Sequence, residues 1–283
     1  MSSVIPAFGF NQFGTLSIEL VPTAAVAAIV ILYLLGVHWI SRTSNDRWSA
    51  KRSVAFLAGA VVVLVAVDSA VGLYDDVLFD DHMGQHLLLV MVAAPLLAMG
   101  APIELACRAT PGTAGRLVNK ALASPPAEVV GHPIFGFALY AVLIPVAHLT
   151  ALYNVTLTNQ PIHHMEHLAF LVIGYLFWRP VIGIEPSRHS LPPGLRFVYL
   201  LLALPIDTFT GLALASATHE LFPAYLSVAR PWGPSLVGDV HDGGKVMYIG
   251  GDTLMLAAMV TIAIQWARHG SRDVRAVAHR VPG

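Results

Sequence analysis

The chain has 283 residues, 56% of them hydrophobic and 12% charged, with a formal net charge of −1 and a mean hydropathy of +0.68. That composition excludes an ordinary soluble globular domain and fits a polytopic helical membrane protein. The near-zero net charge says little by itself; the lipid bilayer is the expected surrounding, and no nucleic-acid partner is expected.

Apolar stretches long enough to cross a hydrocarbon core about 30 Å thick fall at residues 20–40, 53–73, 83–103, 132–152, 164–183, 195–218 and 245–267. The expected fold is an all-α membrane protein, a bundle of about seven transmembrane helices over 20–267, between a short tail at 1–19 and a basic tail at 268–283. Pro145 and Pro205 interrupt two stretches, which membrane helices tolerate where neighbours re-satisfy the backbone. Residues 1–20 lack a basic n-region and a small-residue cleavage site, so they read as a translocated tail rather than a removable signal. The third-to-fourth and sixth-to-seventh connections are long and rich in Pro and Gly.

Orientation follows from the basic residues, which stay on the cytoplasmic side. Arg42, Arg47, Lys51 and Arg52 follow the first stretch, and Arg108, Arg116 and Lys120 the third. Arg179, Arg188 and Arg196 flank the loop after the fifth, and Arg268, Arg272, Arg275 and Arg280 lie in the tail. The opposite loops hold Arg230 and Lys245 alone, which puts the N-terminus outside and the C-terminus in the cytoplasm. The single cysteine, Cys107, falls in a cytoplasmic loop, so no disulfide and no outer thiolate ligand is available.

Eight of the 13 histidines, His82, His86, His148, His163, His164, His167, His219 and His241, map to the outer end. His82 and His86 are four apart, so their imidazoles share one helix face about a turn apart. His163 and His167 repeat the spacing, with Glu166 between them. Met83 and Met165 accompany the pairs, and Met247 starts the seventh stretch. Imidazole suits copper, zinc, iron and nickel, and thioethers favour Cu(I), so the mixture leans towards Cu(I), with zinc as the alternative. The acidic turn Asp75, Asp76, Asp80 and Asp81 would draw the cation in. Carboxylates inside the bundle are costly and retained for a partner or a task. Asp68 and Asp252 could orient ligating histidines through the second ring nitrogen; Asp207, deeper, reads equally as a helix-packing residue. Other readings are plainer. A lone interfacial histidine such as His219 or His241 is usually a polar anchor, and Met91, Met99, Met255 and Met259 read as packing. His38, His132, His189, His269 and His279 fall on the cytoplasmic side.

The run His82-Met83-Gly84-Gln85-His86-Leu87-Leu88-Leu89, then Ala94-Pro95-Leu96-Leu97 and Gly100-Ala101-Pro102, resembles the CtaG family of bacterial cytochrome c oxidase assembly factors. His132-Pro133, His148 with Leu152-Tyr153, His163, Glu166-His167, Phe170, Phe177-Trp178 and Pro180 follow in the family's order, and Asp239, Gly243-Gly244 and Met247 resemble its last motif. The resemblance implies a multi-pass protein of the bacterial cell membrane that delivers copper to a haem-copper oxidase, or otherwise assists its maturation, by contact with oxidase subunits. It carries over His82, His86, His148, His163, Glu166, His167 and Asp239 as polar motif positions. Val240-His241 replaces a common Gln-Gln, Ala147 a Trp, and Tyr248 a Trp, which sets the last motif apart.

Three functions stay open. In a copper-binding assembly factor His82, His86, His163 and His167 hold the metal, with His148, Met83 and Met165 assisting and no turnover chemistry. An intramembrane zinc hydrolase would use three histidines and a carboxylate around Zn²⁺, with Asp68, Ser69 and Asp252 as participants. A haem-binding electron carrier would ligate iron from two helices.

Overall fold

In the computed structural model the described residues are 6–7, 15–43, 47–227 and 230–278, with side chains as far as Arg268; they form helices and no strand. Six helices are long and apolar enough to cross a membrane: Leu20–Thr43, Ala50–Tyr74, Phe79–Ala109, Gln160–Ile182, Pro193–Ala215 and Leu236–Arg268. One further crossing is bent, Pro133–Leu149 meeting Leu152–Thr158 at 71°. Counting the bent pair as the fourth, the chain is an all-helical, multi-pass membrane protein of up to seven spans. Most of the N-terminal tail, Arg280 and His279, and the side chains of His269, Arg272 and Arg275 lie outside the described residues.

Local chemistry moves several boundaries. The seventh helix starts at Leu236 because Ser235 caps it, its hydroxyl accepting from the N–H of Gly238. The polar residues Asp239, His241 and Asp242 in that first part lower the hydropathy, which hides the helix from an apolar-window reading. The expected single helix over 132–152 is split at Thr150, whose backbone is extended. The Thr150 hydroxyl donates to Val146 O and accepts from Leu152 N, so one side chain terminates one helix and starts the next. Cys107 sits on a short helix, Pro102–Ala109, rather than in a loop.

The third span carries a π-helical turn, Leu88–Ala93, directly after His86. Pro95 follows it and has no N–H for the helical ladder. A second π turn, Val246–Gly250, breaks the seventh span at a similar place. Within hydrocarbon, lipid is as apolar as leucine, so close packing and internal hydrogen bonds rather than water exclusion hold the helices together. The sixth and seventh spans approach through Gly211 and Gly244: a Cβ on Gly244 would lie 2.6 Å from Gly211 O, and one on Gly211 2.7 Å from Gly244 O. The first span is peripheral, with Tyr33 and Ile40 its buried residues. It is tied in by the Tyr33 hydroxyl, which donates to Gly100 O at 2.9 Å.

Candidate metal centre

Three helices and one turn converge at a single end of the bundle. The third span supplies His82 and His86, the fifth His163, Glu166 and His167, the fourth His148, and the turn before the third span Asp75. All seven side chains are buried. On the fifth span the helical repeat of about 100° per residue puts Glu166 and His167 on the face of His163. Met165 is carried to the opposite side and is 69% exposed.

The rings pack closely. His82 and His86 centroids are 4.1 Å apart, His163 and His167 4.3 Å, and His82 and His163 5.4 Å. Asp75 Oδ2 lies 3.6 Å from His163 Nε2 and 3.9 Å from His167 Nε2, and Glu166 Oε2 lies 3.8 Å from His82 Nε2. These separations are too long for hydrogen bonds. They suit the edges of a coordination polyhedron, since two ligands each about 2.0–2.1 Å from a tetrahedral ion stand about 3.4 Å apart. Eight buried atoms here have no hydrogen-bond partner: Asp75 Oδ1, both ring nitrogens of His82, both oxygens of Glu166, and Nε2 of His86, His163 and His167. Buried polar atoms are normally paired, with protein, water or an ion, so their convergence marks a place that could hold a cation. The ligand atoms of Asp75, His82, His163 and His167 lie within 4.8 Å of one another, as do those of His82, His86 and Glu166.

Surrounding hydrogen bonds fix which nitrogens are free. His148 Nδ1 stands 2.7 Å from Ile144 O, which only accepts, so that nitrogen bears the proton. His148 Nε2 then accepts from His86 Nδ1 at 3.2 Å, leaving the lone pair of His86 on Nε2, inside the cluster. His148 therefore meets the cluster through His86. On the solvent side, His163 Nδ1 faces the half-exposed Asp76 at 3.5 Å, and His164 faces Glu19 at 3.7 Å. Burial, reinforced by the charge of Asp76, holds the Asp75 carboxyl well above the usual carboxylate range; burial also raises Asp76.

A lid of aromatic residues covers the cluster. The Tyr153 and His82 ring centroids are 4.7 Å apart in an edge-on arrangement, and Tyr153 hydrogen-bonds Tyr225 through the hydroxyls at 2.6 Å. The Tyr225 hydroxyl lies 3.1 Å from Asp75 O, its acceptor. Phe170 stacks on His86 at 3.8 Å.

The remaining expected site residues are placed as follows. Asp239 is drawn to the site's frame: its two oxygens accept from the N–H groups of Phe79 and Asp80, each at 3.1 Å, and Arg230 stands 3.2 Å away. Met83 is buried beside the cluster, on the wall of a cavity of about 30 Å³ with His86, His148, Asp207 and Met247. Asp68 is not brought to the histidines; it accepts from Glu19 N and the Thr23 hydroxyl and so anchors the first span. Asp252 accepts from the Thr208 hydroxyl, and Asp207 from Tyr140 at 2.7 Å, both as helix-to-helix ties. Ser69 donates to Val65 O and caps Val71 N. His241 bonds Ala217 O, and His219 is exposed. Sequence reasoning treated Asp75 as a surface attractor and missed it among the converging side chains; its signal was an acidic residue in the turn that leads into the paired histidines.

Residues 31–269 match the family described as cytochrome c oxidase caa3 assembly factor. Uncharacterised proteins of Mycobacterium bovis, Mycobacterium tuberculosis and Mycobacterium leprae are each 30% identical over 88% of this chain. The chain spans 39% of the length of each. No solved structure matches it. The family match covers most of the chain, which belongs to the caa3 cytochrome c oxidase assembly-factor family.

Proposed function

We propose that this caa3-type assembly factor holds copper in the buried imidazole and carboxylate cluster and supplies it to a haem-copper cytochrome c oxidase. The observation that carries the reading is the set of eight unpartnered polar atoms aimed at one volume, an arrangement that is costly without a cation. Imidazoles of His82, His86, His163 and His167 suit copper and also zinc. Asp75 and Glu166 add hard oxygen donors and negative charge, so the site accepts copper in either oxidation state instead of selecting Cu(I) through thioethers. Met165, exposed on the opposite side of its helix, takes no part in this reading. The protein lies in the bacterial cell membrane with its N-terminus and the metal end outward, because the basic residues crowd the opposite loops. No bond-breaking step is required of it: the site binds, dehydrates and releases a cation, and oxidase subunits are the recipients.

A zinc hydrolase keeps one supporting feature, the unpartnered Glu166 beside His82 and His86, which could act as a base. Its other expected participants, Asp68, Ser69 and Asp252, are engaged elsewhere. Cells carrying His163→Ala with His167→Ala test the main reading. Oxidase activity should fall while the variant stays at normal level in the membrane, and added copper should restore part of it by mass action. Undiminished oxidase activity would refute the role; zinc in the purified protein together with amide or ester hydrolysis would establish the second reading.

A further inference from the structure

We infer that the cluster binds two cations, with His82 as the ligand shared between a site of Asp75, His163 and His167 and a second site of His86 and Glu166. The inference rests on the metal-holding reading above and goes beyond it in number and placement.

The two ligand groups each close to within 4.8 Å and have His82 in common. A single tetrahedral ion takes four donor atoms. Placed among Asp75, His82, His163 and His167, it leaves His86 Nε2, both Glu166 oxygens and one His82 nitrogen buried without a partner. His82 is the residue able to serve both groups, because neither of its ring nitrogens is hydrogen-bonded and its side chain is fully buried. Its Nε2 faces Glu166 at 3.8 Å, so the shared arrangement requires Nδ1 to serve the other group. His86 is held in the tautomer that directs a lone pair into the second group, through the chain from Ile144 O by way of His148. With both nitrogens engaged, His82 gives up its ring proton to solvent on loading. The first site has four protein ligands and is closed. The second has three and keeps an open position, the arrangement from which a cation can be handed on.

The test uses the full chain in detergent, loaded with Cu(I) under reducing conditions, freed of excess metal and assayed for copper per chain. About two coppers are expected. His86→Ala with Glu166→Gln should lower the count to about one, and so should Asp75→Asn with His163→Ala. The near-isosteric Glu166→Gln alone, with its melting temperature compared with the parent's, separates ligand loss from misfolding: it should keep the fold and weaken one site by at least tenfold. One copper in the parent, abolished by either double variant, would show a single mixed site and overturn the inference while leaving the metal-holding reading intact. Two coppers unaffected by either double variant would overturn the placement. No copper in the parent would remove both readings.

Discussion

Asp239→Ala isolates the device that sets the start of the His82 helix. Leu78, at the N-cap position of that helix, offers no side-chain cap. Asp239 from the seventh span does the capping from across the bundle, accepting from Phe79 N and Asp80 N. The cap alone is worth about 0.5–2 kcal/mol. The larger effect lies with Arg230, whose side chain is 5% exposed and pairs with a carboxylate that is 1% exposed. Removing one partner of a buried pair costs about 3–5 kcal/mol, because the other charge stays behind uncompensated. The charge effect wins, so Asp239→Ala should destabilise the protein by about 3–5 kcal/mol. Asp239→Ala combined with Arg230→Met should lose only the cap, about 0.5–2 kcal/mol. Unfolding titrations of the detergent-solubilised parent, both single variants and the double variant complete the cycle. Equal losses from Asp239→Ala with and without Arg230 would show that the pair is not coupled, and the reasoning would fail.

Gly244→Ala should destabilise by about 1–3 kcal/mol, since backbone atoms of the sixth span block the new methyl group; Gly84→Ala, with open space around it, should not, and matching melting curves for the two would contradict the close helix crossing. Copper affinity should fall with decreasing pH and continue to rise with pH above the ordinary carboxylate range. The sign follows from Asp75, whose raised carboxyl pKa keeps it protonated there until a cation displaces the proton; binding titrations that are flat over that range would refute it. A reporter inserted near Thr113 should be cytoplasmic and one near Asn159 external, and the reverse result would invert the proposed orientation.

The parts of this fold legible in the sequence are those governed by local spacing. Paired histidines four apart on two helices define their shared faces through helical geometry alone, and His148 joins them in space. Spacing does not report the partner across the bundle. Asp68 looked like a histidine's companion because both were polar and near one end, yet Glu19 and Thr23 occupy its oxygens. Met165 is adjacent in sequence to Glu166 and faces away from it, a distinction that helical angle alone could have drawn. Asp239 was marked by family resemblance, but its role as a cap for a helix 160 residues away in sequence required the structure. The break at Thr150 depends on one hydroxyl exchanging two hydrogen bonds, a choice that an apolar window cannot register.

X-ray absorption at the copper edge, on protein purified from copper-replete membranes without added metal, tests the central claim most directly. Bound copper is expected, with nitrogen and oxygen neighbours at about 2.0–2.2 Å and the outer-shell scattering of several imidazoles. Protein that carries zinc or no metal, or copper whose nearest neighbours are sulfur at about 2.3 Å, would contradict it.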